Sequence, residues 1–298
     1  MTVRCSIFVA LLLVGPTTAA ADLDLDLQAA ALRARLTSSP TDLPSRLRLA
    51  RVELEAGRPG EALAELAVLD AMAPGHTEDA VVRAQALLAN DQAEAALLLL
   101  EERLTLEGPI EGLRLRARLL DAQDREEEAL RDLEAIVLRG PSLDDELRRG
   151  RLLERLGRLR EAALAYREGR GRHRDAAILR LAEIRTERAQ GHPDRALALL
   201  EPLLGARAVA PRLRVLRGEL LREAGQTQAA EEALERALRD AERMLARRPS
   251  AMALMERGRA RLALGRAGAL GDLEQALGRA PGLHEARRLL QRARETGQ

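Results

Sequence analysis

Aromatic residues are almost absent from this 298-residue sequence, which has one Phe, one Tyr and no Trp. Phe8 lies near the N-terminus, so Tyr166 is the only aromatic in the rest of the chain. The core must therefore be built from aliphatic side chains, mostly Leu and Ala, which are the strongest apolar helix formers. Because β-branched residues are also few, the composition favours an all-α fold.

Long apolar runs are missing as well, apart from a run of ten residues at positions 6–15. A helix needs about 20 residues to span a bilayer, so this run is too short to be a membrane anchor. Arg4 precedes it, Pro16 ends it, and the small residues Ala19, Ala20 and Ala21 follow. This order is typical of a secretory signal peptide. We expect residues 1–21 to be removed after Ala21 and the mature protein to be periplasmic or secreted.

The sequence has one cysteine and no lysine. The single cysteine, Cys5, precedes the apolar run, so it is not placed for lipid attachment and leaves with the signal peptide. The mature chain then has no disulfide and no thiolate metal site. The 48 basic residues are all Arg, and losing Arg4 leaves 47 against 47 acids. This balance predicts no general attraction to nucleic acid or to an anionic membrane.

Two positions recur along the chain with a period near 34 residues, which indicates a helical-hairpin repeat. The first is usually a small residue, in the series Ala50, Ala84, Ala117, Gly150, Ile184, Gly218 and Gly258. Twelve residues after each of the first six stands an alanine: Ala62, Ala96, Ala129, Ala162, Ala196 and Ala230. In such a repeat, two antiparallel helices, A and B, approach closely where their side chains are small. We expect Gly150 on helix A to face Ala162 on helix B.

A second glycine follows seven residues after Gly150 and predicts the end of helix A. Gly157 occupies the position where a left-handed residue terminates a helix. The same position is occupied by Gly57, Gly191, Gly225 and Gly265, with Asn90-Asp91 in the second repeat. Prolines after most B helices mark the ends of repeats.

These boundaries predict four segments. After the signal peptide, residues 22–42 form a capping helix, at 25–36, and a loop. Residues 43–281 form the repeats. The last two small residues, Gly218 and Gly258, are 40 residues apart instead of about 34, and one long helix B at 228–248 explains this longer spacing. Residues 282–298 form a C-terminal capping helix.

The sequence resembles the tetratricopeptide repeat (TPR) family in the stretches RRGRLLERLGRLREAAL, RLARVELEAGRPGEAL and RGELLREAGQTQAAEEAL. Leu or charged residues stand where that family has large aromatics. The resemblance implies a right-handed superhelical solenoid of about seven helix-turn-helix repeats with helical caps. The pentatricopeptide repeat, which reads RNA, is the alternative, and the secretory signal disfavours it.

No catalytic, metal or cofactor site is recognisable in the sequence. His76, His173, His192 and His284 are far apart and lack a second ligand at helical spacing. The glycines at 265, 268 and 271 lack the strand and the Lys-Ser/Thr of a phosphate loop, so they indicate a turn. We therefore predict a protein that is not an enzyme and has no cofactor.

The resemblance also implies a concave groove, lined by helix A, that holds a segment of a partner protein. The residue after each small residue commonly faces that groove, and three apolar residues on helix A could add contacts. The predicted groove residues are Arg51, Gln85, Arg118, Arg151, Arg185, Glu219 and Arg259, with Leu147, Leu181 and Val215. Five of the first seven are Arg, which suits an acidic segment or a C-terminal carboxylate.

Three alternatives remain open at this stage. The residue before the small one is also mostly Arg, so the arginines could simply be a solvated face. The basic stretch REGRGRHR, Arg167 to Arg174, could meet an acidic partner or be a solvated loop between repeats. A scaffold in the cell envelope is the predicted function, and an accessory glycan-binding or assembly subunit of a polysaccharide or protein export machine is the alternative.

Overall fold

A computed structural model describes residues 19–74, 77–205 and 211–295. Residues 1–18 of the predicted signal peptide, and His76, lie outside these ranges. Within them the chain forms sixteen α-helices and no strand. The aliphatic composition therefore gives the all-α fold expected of it.

The helices fall into two compact units, residues 1–140 and 141–298. The first unit contains α1 (Ala19–Ser38), α2 (Leu43–Glu55), α3 (Pro59–Met72), α4 (Thr77–Ala89), α5 (Ala93–Arg103), α6 (Ile110–Ala122) and α7 (Glu126–Val137). The second contains α8 (Leu143–Arg155), α9 (Leu159–Arg172), α10 (Ala177–Ala189), α11 (Pro193–Leu204), α12 (Pro211–Glu223), α13 (Thr227–Arg247), α14 (Ala251–Ala263), α15 (Ala269–Arg279) and α16 (His284–Glu295).

Within each unit, every helix packs on the helices next to it in the sequence. The pairs α2/α3 to α14/α15 are seven hairpins, so helix A of each repeat is an even-numbered helix from α2 to α14. The long helix α13 has 21 residues where the other B helices have 11 to 14. The predicted fold of about seven helical hairpins is confirmed.

The turn inside each hairpin is set by a left-handed residue. Gly157 follows α8 with φ +72°, and the amides of Gly157 and Arg158 bond back to the last turn of the helix. Five of these turns use glycine, as predicted, since a residue without Cβ adopts this conformation without strain. Asp91 and Asp124 fill the position in the second and third repeats with φ 58°.

The small residue of helix A packs against a large residue of helix B, a contact that the sequence does not predict. A Cβ placed on Gly150 would lie 2.1 Å from the ring of Tyr166, one turn beyond Ala162. Gly218 faces Leu234 in the same way, at 2.5 Å. The large residue is fully or almost fully buried in every repeat: Leu66, Leu100, Leu133, Tyr166, Leu200, Leu234 and Leu273.

The basic stretch at 167–174 lies mostly inside α9 and is not the loop that the sequence suggested. Arg167 and Arg170 each place Nε 3.1 Å from a carboxylate oxygen of Glu183, whose side chain is fully buried. Arg172 contacts Glu146, which is equally buried. These arginines neutralise buried carboxylates of neighbouring helices, a role in the fold that accounts for the density of positive charge.

Successive A helices also touch one another. Helix α2 packs on α4 and α4 on α6 in the first unit. In the second unit α8 packs on α10, α12 on α14, and α14 on α16. No pair of B helices packs to the same extent among the described residues, so the helix A side is the closely spaced side of each unit.

Candidate functional site

The two columns of arginine on the A helices lie on different sides of those helices. The residues before the small position face the B helices. Arg116 binds Asp132 of α7 through two hydrogen bonds, at 2.9 and 2.6 Å, and Arg257 binds Asp272 of α15. Arg217 contacts Glu201 of α11 at 3.1 Å. These pairs join the two helices of a hairpin, or join one hairpin to the next, so the three guanidiniums already have carboxylate partners.

The column after the small position, which the sequence predicts to face the groove, connects neighbouring A helices in the second unit. Arg185 lies 3.6 Å from Glu154 of α8, and Glu219 lies 2.8 Å from Arg188 of α10. Arg259 lies 2.6 Å from Glu285 of α16. These predicted residues therefore share one face of the second unit, where most of their charges are already paired.

The remaining predicted polar residues are at the surface. Arg151 is exposed on the same column of α8. In the first unit, Arg51, Gln85 and Arg118 are exposed on α2, α4 and α6. The predicted apolar residues are less exposed than these polar ones. Leu147 and Val215 are only 7 % and 2 % exposed, and Val215 packs in the core with Leu234. Leu181 is partly buried. Leu147 and Val215 thus build the core and offer little surface to a partner.

A cleft of about 310 Å³ opens on this face of the second unit. It is formed by three successive A helices, α10, α12 and α14, together with the capping helix α16. Four arginines and two glutamates supply its charges, and aliphatic residues supply its floor. The lining residues are Arg188, Glu219, Arg222, Glu223, Arg259, Leu262, Ala263, Leu289 and Arg292.

Hydrogen bonds order the polar side chains of the cleft. Arg188 donates to Glu219 at 2.8 Å and to Glu223 at 2.6 Å. Burial tends to lower the pKa of Arg188, but the bonds to Glu223 and Glu219 outweigh it and raise that pKa. Arg222 is exposed and donates to the carbonyl of Ala263 at 3.0 Å. The lining itself contains four arginines and two glutamates, and Arg259 also pairs with Glu285 of α16 at 2.6 Å.

A buried carboxylate lies beside the cleft. Glu256 of α14 is 3 % exposed and has one oxygen 3.9 Å from Nε of Arg259. Burial raises the pKa of Glu256, and the attraction of Arg259 opposes the rise only in part. Arg259 is held between Glu256 and Glu285, so its side chain is fixed at the end of the cleft.

The first unit has its own, more apolar cleft of about 730 Å³. Helices α1, α2, α3 and α4 line it, again with the face of α2 that carries Arg51. Its lining residues are Gln28, Leu43, Pro44, Leu47, Arg48, Arg51, Val52, Glu55, Leu69 and Asp79. Asp79 is 3 % exposed, and burial raises its pKa against the opposing effect of Arg83.

The described ranges give no evidence of a metal site. No group of three or more His, Cys, Asp or Glu residues there could hold a metal ion. His192 bonds to Glu187 at 3.0 Å, and Gly268, with φ +88°, caps the start of α15. None of the described helices is long and apolar enough to cross a bilayer.

Comparisons with known proteins identify the fold. A TPR repeat-containing protein from Cytophaga hutchinsonii, in its C-terminal part, is similar with a TM-score of 0.57 and 12 % identity over 82 % of this chain and 99 % of that one. A tetratricopeptide repeat protein from Parabacteroides merdae has a TM-score of 0.51 and 18 % identity, covering 84 % and 97 %. This chain has the TPR fold. YrrB, described as a TPR protein with an unusual peptide-binding site, gives 0.51 and 14 %, covering 70 % and 99 %.

Sequence comparison alone finds no such likeness: no protein-family model matches the chain, and no curated protein matches it. In this sequence Leu or charged residues stand where the family has large aromatics. Two features keep the repeat spacing of the TPR fold. One is the small residue of helix A that packs against a large residue of helix B, and the other is the left-handed residue at each turn.

Proposed function

We propose that this protein is a non-catalytic scaffold that binds a segment of a partner protein on its helix A side. The observation that carries the proposal is the cleft shared by α10, α12, α14 and α16, which joins ordered arginines to an aliphatic floor. The TPR fold, and the peptide-binding site in the description of YrrB, support a protein ligand. The cleft of the first unit offers a second surface of the same kind.

The partner segment is acidic. The cleft in the second unit is lined by four arginines and two glutamates, and the arginine fork binds carboxylates through two parallel hydrogen bonds. Leu262, Ala263 and Leu289 provide apolar contact beside these charges. An extended segment with a carboxylate and an apolar neighbour matches both features.

Reversing one charge in the cleft tests this proposal. Arg222→Glu is expected to weaken binding of the partner by about 10- to 100-fold, since a hydrogen bond between charged groups is worth about 1.5–3 kcal/mol. Arg222 is exposed, so the fold should be kept. The partner is first isolated from cell-envelope extract by crosslinking and copurification, and its affinity is then measured at low and at physiological salt.

Arg236→Glu on helix B α13 is the matched control, because Arg236 is also exposed but lies outside the cleft. It should leave affinity unchanged. Equal affinities of wild type and Arg222→Glu at low salt would show that the cleft arginines are only a solvated face.

We also propose that the protein works in the cell envelope after export. The support is the order of Arg4, the apolar run at 6–15, Pro16 and the small residues ending at Ala21. Sequencing the N-terminus of protein from an envelope fraction should give Asp22 as the first residue. Protein that retains Met1 in the cytosol would refute export.

Direct binding of glycans has little support. Sugar sites commonly stack a ring on an aromatic side chain, and Tyr166, the one aromatic among the described residues, is fully buried. A glycan array with no signal, together with a protein partner bound in stoichiometric amount, is the expected result.

A further inference from the structure

Helix α1 is apolar on two opposite faces, of which its own unit uses only one. Leu25, Ala29, Leu32 and Leu36 pack on α2 against Leu49 and Val52. The opposite face carries a second set with the same spacing of four, three and four residues. That set, which we call the outer stripe, is Leu23, Leu27, Ala30 and Ala34.

The outer stripe is open to solvent. Leu23 and Leu27 are 61 % and 63 % exposed, and Ala30 and Ala34 are also exposed. A contiguous exposed apolar patch rimmed by polar residues commonly marks a site of protein–protein interaction. Two exposed leucines aligned with two alanines over three turns therefore form a face that lacks its partner.

We propose that the outer stripe pairs antiparallel with the outer stripe of a second copy of this chain. The spacing of four and three residues is that of a coiled-coil seam. In an antiparallel, two-fold pair with Leu27 opposite Ala30, the same register places Leu23 opposite Ala34. Each large side chain then meets a small one, so the two helices can approach closely at every layer.

The charges beside the stripe fit the same register. Asp26 and Arg33 lie on the same side of the outer stripe. In an antiparallel pair this side of one helix meets the same side of the other helix, so Asp26 of each copy lies beside Arg33 of the second copy. Both side chains are more than half exposed. Their bonds within the chain, Asp26 to Arg58 and Arg33 to Glu53, each at 2.6 Å, hold them in place for this contact.

The expected dimer is weak. The stripe and its flanks span residues 22–35, a length of about 21 Å at 1.5 Å per residue. A helix pair of this length buries less than the roughly 1,200 Å² of a stable standard interface. We therefore expect a monomer–dimer equilibrium with a dissociation constant on the order of micromolar.

Sedimentation equilibrium of the purified protein over a wide concentration range measures this equilibrium. Leu27→Glu is expected to raise the dissociation constant at least about tenfold, because it places a charge in an apolar seam. Leu98→Glu, at a leucine of α5 that is 67 % exposed, is the matched control and should change nothing. Circular dichroism checks that each variant keeps its helices.

A swap of the opposed residues tests the register. Leu27→Ala should weaken the dimer by leaving a gap, and Ala30→Leu by placing two leucines against each other. The double variant restores one Leu against one Ala in each layer, so it should dimerise more tightly than either single variant. A protein that is monomeric at all concentrations, a dimer insensitive to Leu27→Glu, or a double variant weaker than both single variants would overturn the proposal.

Discussion

Gly150→Ala should destabilise the protein by about 3 kcal/mol, the upper part of the range for overpacked cores. The new Cβ would lie 2.1 Å from Cε1 and 2.3 Å from Cζ of Tyr166. Tyr166 is fully buried, so a shift of its ring would disturb the side chains packed around it. This clash outweighs the gain of roughly 1 kcal/mol that alanine brings to a helix interior. Urea unfolding followed by circular dichroism measures the change.

Two variants separate packing from helix propensity. Gly171→Ala is also in a helix, with nothing within 4 Å of its Cβ, so it should stabilise by about 0.5 kcal/mol. Combining Gly150→Ala with Tyr166→Leu recreates the Ala–Leu pair of the first three repeats and should recover most of the loss. A Gly150→Ala protein as stable as wild type would mean that the small position does not set the helix crossing.

Asp132→Ala should cost about 3–5 kcal/mol, because it leaves the buried guanidinium of Arg116 without its counter-charge. Asp132 and Arg116 are 1 % and 9 % exposed. Arg116 also donates to the carbonyl of Leu104 at 2.5 Å, so it cannot turn to solvent without breaking that bond. The expected result is a large drop in the urea midpoint of the first unit.

The matched control uses the same residue types at the surface. Asp144 and Arg148 form an ion pair at 2.6 Å on α8, with side chains 63 % and 37 % exposed. Asp144→Ala should cost less than about 1 kcal/mol, since water already solvates both charges. Similar losses from the two variants would contradict the buried role given to Arg116.

The sequence predicts the fold well because the repeat depends on local signals. Small residues recur with the period of a helical hairpin, and left-handed turns stand at Gly57, Gly157, Gly191, Gly225 and Gly265. The turn at Asp124 is not predicted, because an aspartate at a left-handed position has no distinctive pattern in a single sequence. The contact of Gly150 with Tyr166 is not predicted, because spacing along one helix does not fix the offset between two helices.

The candidate site was less predictable than the fold. The sequence predicts that the column with Arg185 and Arg259 faces a groove, but it does not predict how these residues pair across helices. Glu154, for example, lies one turn from Arg151 in sequence yet contacts Arg185 of the next repeat. Such contacts depend on how repeats stack, which residue spacing within a helix does not reveal.

Site-specific photo-crosslinking tests the central claim, that a partner protein binds on the helix A side. A photoreactive amino acid is placed at position 222 in the cleft, or at position 236 on helix B, both exposed arginines in wild type. The proposal predicts a discrete crosslinked partner in envelope extract from position 222 and none from position 236. Crosslinks from position 236 alone, or from neither position although the protein copurifies with a partner, would contradict it.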